Sequence, residues 1–330
     1  MQTIPLKIVG VGRYLPARVV PNAEVEARCG LRAGWIERKT GVRERRWVVH
    51  ETSSQMAAWA AEEALADAGM KAGEIDLILN ASGTPEQVIP DTGALIQREL
   101  GLGNSGIPSF TIHATCLSFL MALDVAANYL ALGRYQRILI ACADIASCAL
   151  NFKEPESSVL FGDAAGACVV TRTPPGEDSA LLAAYFATYG EGASLTELRG
   201  GGSRRHPNNP LTRPEDALFH MEGPKVYRMA RQYANTVLER VRPGLSRGLG
   251  SIELVVPHQA SIFALRALRH HNFPDERVVL TLDRFGNCIA SSLPVTLYEA
   301  IRGRRIERGQ EMLLCGTGAG LSLGGLILRY

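Results

Sequence analysis

The chain repeats itself at a spacing close to half its 330 residues, and that constrains its architecture more than any other feature. In the first half, EIDLILNAS precedes Cys116, a long helical pattern, Gly133, RILIAC and a small-residue turn into ACVVTR. In the second half, SIELVVPHQA precedes Asn287, a second helical pattern, GQEMLLCGTGAG and a turn into GGLILRY. Ile75 pairs with Ile252 at an offset of 177, Cys116 with Asn287 at 171, and Ile138 with Met312 at 174. Three landmarks in one order imply a duplicated strand–strand–helix–strand–strand unit. The halves are expected over residues 1–173 and 174–330. On this reading Asn287 holds in the second half the place that Cys116 holds in the first.

Within each half, short apolar runs alternate with helical patterns, the signature of an α/β fold. Strands are expected at residues 7–12, 75–82, 137–144 and 164–172. A helix is expected from residue 53 to Gly69, with TSS as its N-cap, Gly69 as its stop, and a small-residue stripe at Met56, Ala60, Ala64 and Ala68. Residues 199–213, RGGGSRRHPNNPLTR, read as an exposed loop, with a domain linker as the rival. Residues 224–241 carry Val226, Met229, Tyr233, Val237 and Val241 at helical spacing, a core-facing stripe.

Composition removes several function classes. Thirty-five basic and 33 acidic residues leave a net charge of +2, and the few aromatics are not interleaved with basic runs, which argues against a nucleic-acid partner. No apolar run approaches the ~20 residues of a membrane span, and the opening residues lack a signal-peptide pattern. Seven cysteines without a CxxC pair fit free thiols in a reducing cytoplasm.

Four segments can carry chemistry. In TIHATCLSFLMALDVAANYLALG a strand pattern turns into an apolar helix at Cys116. Free N–H groups at a helix start favour a thiolate there, so a lowered thiol pKa is expected, and the same groups can hold an oxyanion. A lone cysteine is otherwise a small core residue. In LVVPHQAS, His258 follows a strand at the edge where α/β sheets bind ligands; the bland alternative is a loop histidine. In LDRFGNCIASSLP, Asn287 ends a polar turn; it is either a turn residue or, opposite Cys116 and His258, an amide donor. The turns LFGDAAGACVV and CGTGAGLSLGG lack the context of a dinucleotide site, and a backbone N–H at Gly318 or beside it is a candidate second oxyanion donor. No metal-ligand pattern is present.

Together these segments, with GRYLPARVVPNAE and WIERKTGVRERR, resemble the β-ketoacyl-acyl carrier protein synthase III family of thiolase-superfamily condensing enzymes. The resemblance covers nearly the whole chain. It implies a duplicated five-layer α-β-α-β-α fold, a homodimer, and Cys116, His258 and Asn287 as catalytic residues. The implied reaction is a decarboxylative Claisen condensation of an acyl thioester with a malonyl thioester on acyl carrier protein, through an acyl-Cys116 intermediate. Backbone N–H groups of Cys116 and Gly318 would form the oxyanion hole. Coenzyme A or phosphopantetheine thioesters are then substrates, and no cofactor is needed.

The sequence departs from the family around the substrate entrance. Trp35 matches a residue that stacks on the coenzyme A adenine, but Lys39 stands where an arginine is expected. Pro155 and Phe263 also replace arginines, and Ser261 replaces an asparagine. Ile89 and Thr317 replace aromatics around the acyl pocket. A bulkier acyl group, or a carrier-bound donor, is therefore expected. Arg266 and Arg269, on the helical pattern after His258, are candidates for docking an acidic carrier. The alternative function is acyl transfer in the same fold to a non-malonyl acceptor in specialised lipid or polyketide metabolism. An inactive partner subunit is disfavoured because Cys116 is retained.

Overall fold

The protein is described by a computed structural model covering residues 3–330. Ten strands make two five-stranded sheets. In chain order they are β1 (Ile4–Pro5), β2 (Lys7–Tyr14), β3 (Leu77–Asn80), β4 (Ser109–Thr111), β5 (Arg137–Asp144), β6 (Ala164–Thr171), β7 (Ala180–Thr188), β8 (Ile252–Pro257), β9 (Glu311–Gly318) and β10 (Ser322–Arg329). The first sheet has the order β2-β6-β5-β3-β4, the second β1-β7-β10-β9-β8. β3 pairs in parallel with β4 and β5, and β8 pairs in parallel with β9; the remaining neighbours are antiparallel. The duplication is visible in the register, where Leu77 faces Ile138 and Leu254 faces Met312.

Four longer helices complete the layers: α1 (Ser53–Ala68), α2 (Ser118–Ala131), α3 (Gly223–Val241) and α4 (Ser292–Arg302). Helices α2 and α4 lie between the sheets. Their Phe119, Leu120, Leu123, Leu293 and Leu297 share one core with Leu77, Leu79, Ile138 and Ile140 of the first sheet and Leu254, Val256, Met312 and Leu314 of the second. The alternate residues Ile78, Leu139 and Val169 face outward onto α1. Val255, Leu313 and Ile327 face outward toward the end of α3. Both faces of each sheet are thus covered, which is why the strands read as continuous apolar runs. The result is the five-layer α-β-α-β-α arrangement.

Local chemistry accounts for the element ends. Thr52 and Gln55 form a reciprocal capping box at the start of α1, and Gly69 closes it at φ +66°. The alanine stripe lets β2 approach the helix backbone: a Cβ on Gly10 would lie 2.1 Å from the Ala64 carbonyl oxygen, and one on Gly12 2.1 Å from that of Ala60. Leu132, one residue past α2, is exposed. Residues 199–213 form an exposed excursion, not a linker. Its base is closed by pairing of Thr196–Glu197 with His220–Met221, and Asp216 holds Arg199 and Arg205.

Two differences from the simple duplication emerge. β1 leaves its own half and pairs with β7 at the edge of the second sheet, so residues 4–5 lie on the far side of the expected division at 173. The strand corresponding to β4 is reduced in the second half to a single parallel bridge between Val255 and Val278.

Candidate active site

Each central helix begins in the same unusual way. A short 3₁₀ turn, Thr115–Leu117, leads into α2, and another, Ile289–Ser291, leads into α4. Thr115 and Ile289, both β-branched, have φ +51°, a conformation that costs energy and persists only when its surroundings enforce it. In each half a serine one helical turn on closes the bend. Ser118 Oγ accepts the Ala114 N–H at 2.9 Å, and Ser292 Oγ accepts the Cys288 N–H at 2.9 Å. These pairs fix the correspondence at 174 residues. Cys116 therefore matches Ala290, and Asn287 matches His113. This corrects the expectation that Asn287 occupies the place of Cys116. The hydrogen bonds agree: His113 Nε2 meets the Gly83 carbonyl at 3.1 Å, and Asn287 Nδ2 donates to the Ala260 carbonyl at 3.3 Å.

Cys116, His258 and Asn287 nevertheless come together on the wall of one cavity of about 1810 Å³. β9 links them. A Cβ on Gly316 would lie 2.6 Å from His258 Cβ and 3.3 Å from Leu117 Cδ2; one on Gly318 would lie 2.6 Å from Thr115 Oγ1 and 3.4 Å from the Cys116 nitrogen. Glycine at both positions lets this strand seat the Cys116 turn beside His258. The N–H that reaches the Cys116 sulfur, besides its own, belongs to Ala319, one residue beyond the Gly318 expected from sequence.

The Cys116 thiol does not have the lowered pKa that a helix start led us to expect. Burial, reinforced by the Asp144 carboxylate, pushes it up to about 12, against which the Ala319 and Cys116 N–H groups pull only weakly. The sulfur precedes α2 by two residues and sits in a low-dielectric wall, so desolvation outweighs the helix dipole.

His258 is buried and held by its backbone N–H, which donates to the Cys315 carbonyl at 2.8 Å. Its Nδ1 has no hydrogen-bond partner. An orphaned buried N–H is rarer and costlier than an orphaned acceptor, so the proton belongs on Nε2, making that atom a donor. Burial lowers the ring pKa from 6.5 to about 4. The unfolded chain takes up a proton below pH 6.5 that the folded ring refuses until about pH 4. This contribution to stability is full above pH 6.5 and is lost as pH falls through that window. In a ¹³C-histidine NMR titration we expect one imidazole with a midpoint near 4; a His258 midpoint near 6.5 would contradict the burial argument.

Asn287 is oriented unambiguously. Its Oδ1 accepts the Ile289 N–H at 2.9 Å, leaving Nδ2 as donor with one hydrogen toward Ala260 and one to spare. Its backbone is tied to the LFGD segment through Leu160 and Gly162.

Of the substrate-binding candidates, Trp35, Lys39, Ser261, Phe263 and Thr317 line the cavity. Ile89 does not; it is 83% exposed, and Gln87 and Val88 of the same loop reach the cavity instead. Arg266 and Arg269 lie outside the lining, and Arg269 is paired with Asp275, its Nε at 2.7 Å from Oδ1, so its charge is largely compensated. Sequence reasoning missed the apolar wall contributed by α3: Ala230, Ala234 and Leu238 line the cavity, together with Val226 and Val237 of the stripe assigned to the core. Among the described residues no acidic, histidine and cysteine cluster could hold a metal ion, the cysteines form no disulfide, and no helix is long and apolar enough to cross a membrane.

A doubled α/β unit with a cysteine at one central helix start, beside a histidine and an asparagine from the other half, defines a condensing enzyme of the thiolase superfamily. Residues 110–190 match the family model for 3-oxoacyl-[acyl-carrier-protein] synthase III, and residues 247–330 match the model of its C-terminal part. A β-ketoacyl-[acyl-carrier-protein] synthase III of Aquifex aeolicus is 35% identical, with 98% of this chain and 99% of the relative covered. The crystal structure of the synthase III from Aquifex aeolicus VF5 superposes with a TM-score of 0.87 over the whole of both chains at 32% identity. A priming β-ketosynthase from the R1128 polyketide biosynthetic pathway gives 0.86 at 27% identity, covering 99% of this chain and 97% of that one. The chain belongs to the 3-oxoacyl-[acyl-carrier-protein] synthase III family.

Proposed function

We propose that the protein condenses an acyl thioester with malonyl-acyl carrier protein. Cys116 attacks the acyl carbonyl, its proton leaves with the departing thiol, and an acyl-enzyme remains. The carbonyl oxygen of the tetrahedral intermediate rests on the N–H groups of Cys116 and Ala319. Malonyl thioester then enters. Its thioester oxygen accepts from His258 Nε2 and Asn287 Nδ2, which stabilise the enolate formed as CO₂ departs. The carbanion attacks the acyl-Cys116 carbonyl, and the thiolate is expelled.

The observation that carries this reading is the fixed Asn287 amide. Simple acyl transfer needs a nucleophile and an oxyanion hole; it has no use for a second pair of donors in the same cavity. Release of ¹⁴CO₂ from carboxyl-labelled malonyl-acyl carrier protein, dependent on an acyl donor, tests it. Acyl turnover without CO₂ would favour the acyltransferase alternative.

The substrate reading rests on the size of the cavity, which exceeds the ~300–1,000 Å³ of ordinary small-molecule sites. Leu238, Leu321 and Leu323 make part of its wall apolar. A donor longer than acetyl fits this better, delivered on coenzyme A past Trp35 and Lys39 or on a carrier. Arg266, unlike Arg269, is the docking charge that remains. Arg266→Glu is expected to raise the KM for malonyl-acyl carrier protein about threefold to tenfold while leaving kcat and acyl-coenzyme A loading unchanged; an unaltered KM would discard the docking patch. The exposed edge of β4 is backbone at which a second copy could add to form the expected homodimer.

A further inference from the structure

The two helix starts are equivalent in backbone but not in charge. At an offset of 174, Asp144 in the first half corresponds to Gly318 in the second. Gly318 has no side chain beyond the nucleophile turn, so the Cys116 N–H is left open to the cavity. Asp144 fills the matching space in front of the other turn. It is completely buried, and its Oδ2 accepts both the N–H and the Oγ–H of Ser291 at 3.0 Å. Its Oδ1 accepts the N–H and Oγ1–H of Thr84 at 2.8 Å. One helix start thus carries a built-in carboxyl, which burial pushes up from its ordinary pKa while the hydrogen bonds of Thr84 and Ser291 pull it down, and its twin has only the glycine at that place.

Both segments that Asp144 grips belong to the site. Thr84 follows Gly83, which lines the cavity and takes the His113 hydrogen bond. Ser291 ends the turn whose first N–H, at Ile289, fixes the Asn287 amide.

We propose that Asp144 is a positioning residue for the decarboxylation step, acting through the Ile289–Ser291 turn to hold Asn287. Five donors converge on its two oxygens, the fifth being the Cys142 thiol, 3.8 Å from Oδ2. An asparagine at 144 keeps one acceptor oxygen and presents its NH₂ to the other pair. The hydroxyl of that pair can rotate to accept, but its backbone N–H cannot, so either the Thr84 or the Ser291 segment must shift. The same carboxylate opposes ionisation of Cys116; Cys142, whose Sγ is 3.8 Å from Asp144 Oδ2, also feels Cys116, and His113 and His258 line the same cavity.

The inference rests on the condensation reading, so its test includes a readout independent of condensation. For Asp144→Asn we expect acyl loading on Cys116 to be retained or faster, malonyl decarboxylation to fall about tenfold to a hundredfold in kcat, and the pH profile of Cys116 alkylation by iodoacetamide, followed by peptide mapping, to move to lower pH. Ser291→Ala, which keeps the backbone donor, covers the case in which the first variant does not fold; decarboxylation should fall about threefold to tenfold with loading unchanged. Loading and decarboxylation falling in equal proportion, with an unmoved alkylation profile, would overturn the assignment, as would a Ser291→Ala enzyme with unaltered decarboxylation. If neither variant nor the native protein releases CO₂ while the alkylation profile still shifts, the condensation reading fails and the influence of the Asp144 charge on Cys116 stands.

Discussion

Cys116→Ala is expected to carry no acyl adduct after incubation with any thioester donor, and to lose condensing activity by roughly 10⁴-fold or more, as nucleophile deletions do. The substitution removes only a sulfur from a position that borders the cavity. The strained Thr115 residue, the Ser118 hydroxyl cap and the α2 core remain, so folding should be little affected. Six other cysteines remain, of which Cys148 is exposed and Cys29 is partly so, and the adduct must therefore be located by peptide mapping as well as by intact mass. Because burial holds the thiol near pKa 12, the resting enzyme carries a protonated sulfur. Alkylation at neutral pH should accordingly be slow compared with that of an activated thiolate, and ionisation must accompany donor binding, when the departing thiol receives the proton. An adduct that persists in Cys116→Ala, or a fall in rate below tenfold, would remove Cys116 from the mechanism.

Much of this organisation could be read from the residues. RILIACAD marked β5 at both ends, because a run buried on both faces has to be apolar throughout and is bounded where charge begins. The Thr52 cap and the Gly69 stop marked α1 for reasons that act within four residues of chain. What stayed hidden depends on contacts between distant segments. β1 is two residues long, too short to show alternation, and its choice of sheet is made by β7. The lowered pKa expected for Cys116 weighed a local dipole without the desolvation of a buried site or the charge of Asp144. Arg269 could not be known to be neutralised until the chain brought Asp275 against it.

The repeat was legible, but its alignment was not. Matching Cys116 to Asn287 paired the residues with chemical interest; the backbone pairs residues with the same φ. Thr115 with Ile289, and Ser118 with Ser292, show that the strained turn belongs to the duplicated unit and does not depend on the cysteine, since the second copy carries Ala290 where the first carries Cys116. The site is a product of divergence at matched positions. The first half has the cysteine and, by the strand register that matches Leu77 with Leu254, an alanine, Ala81, at the position of His258. The second half has Ala290 in place of the sulfur and carries the imidazole and the carboxamide. Each half supplies what its twin lacks, so neither is expected to support condensation alone.

That division of labour separates the two half-reactions, and the largest contrast should appear in variants of the second half. His258→Ala and Asn287→Ala should each load acyl groups on Cys116 within a few-fold of the native rate. Each should lose malonyl decarboxylation by roughly 10²–10³-fold, the effect of deleting one preorganised donor to a developing oxyanion. The double variant should fall well short of the product of the single losses, because a lone remaining donor cannot hold the enolate in place. Asn287→Asp gives the sharper test. It preserves the acceptor for the Ile289 N–H but replaces the donating NH₂ by a carboxylate oxygen, which would face both the Ala260 carbonyl and the forming enolate. Electrostatics therefore predicts a loss at least as large as that of alanine at pH 8, although aspartate is the closer match in shape. Stopped-flow mass measurement of acyl-enzyme formation and ¹⁴CO₂ release would report the two steps separately. Loss of loading in parallel with decarboxylation would assign His258 and Asn287 to activation of the nucleophile instead. Native-like CO₂ release from Asn287→Asp would show that the amide donates nothing to the enolate.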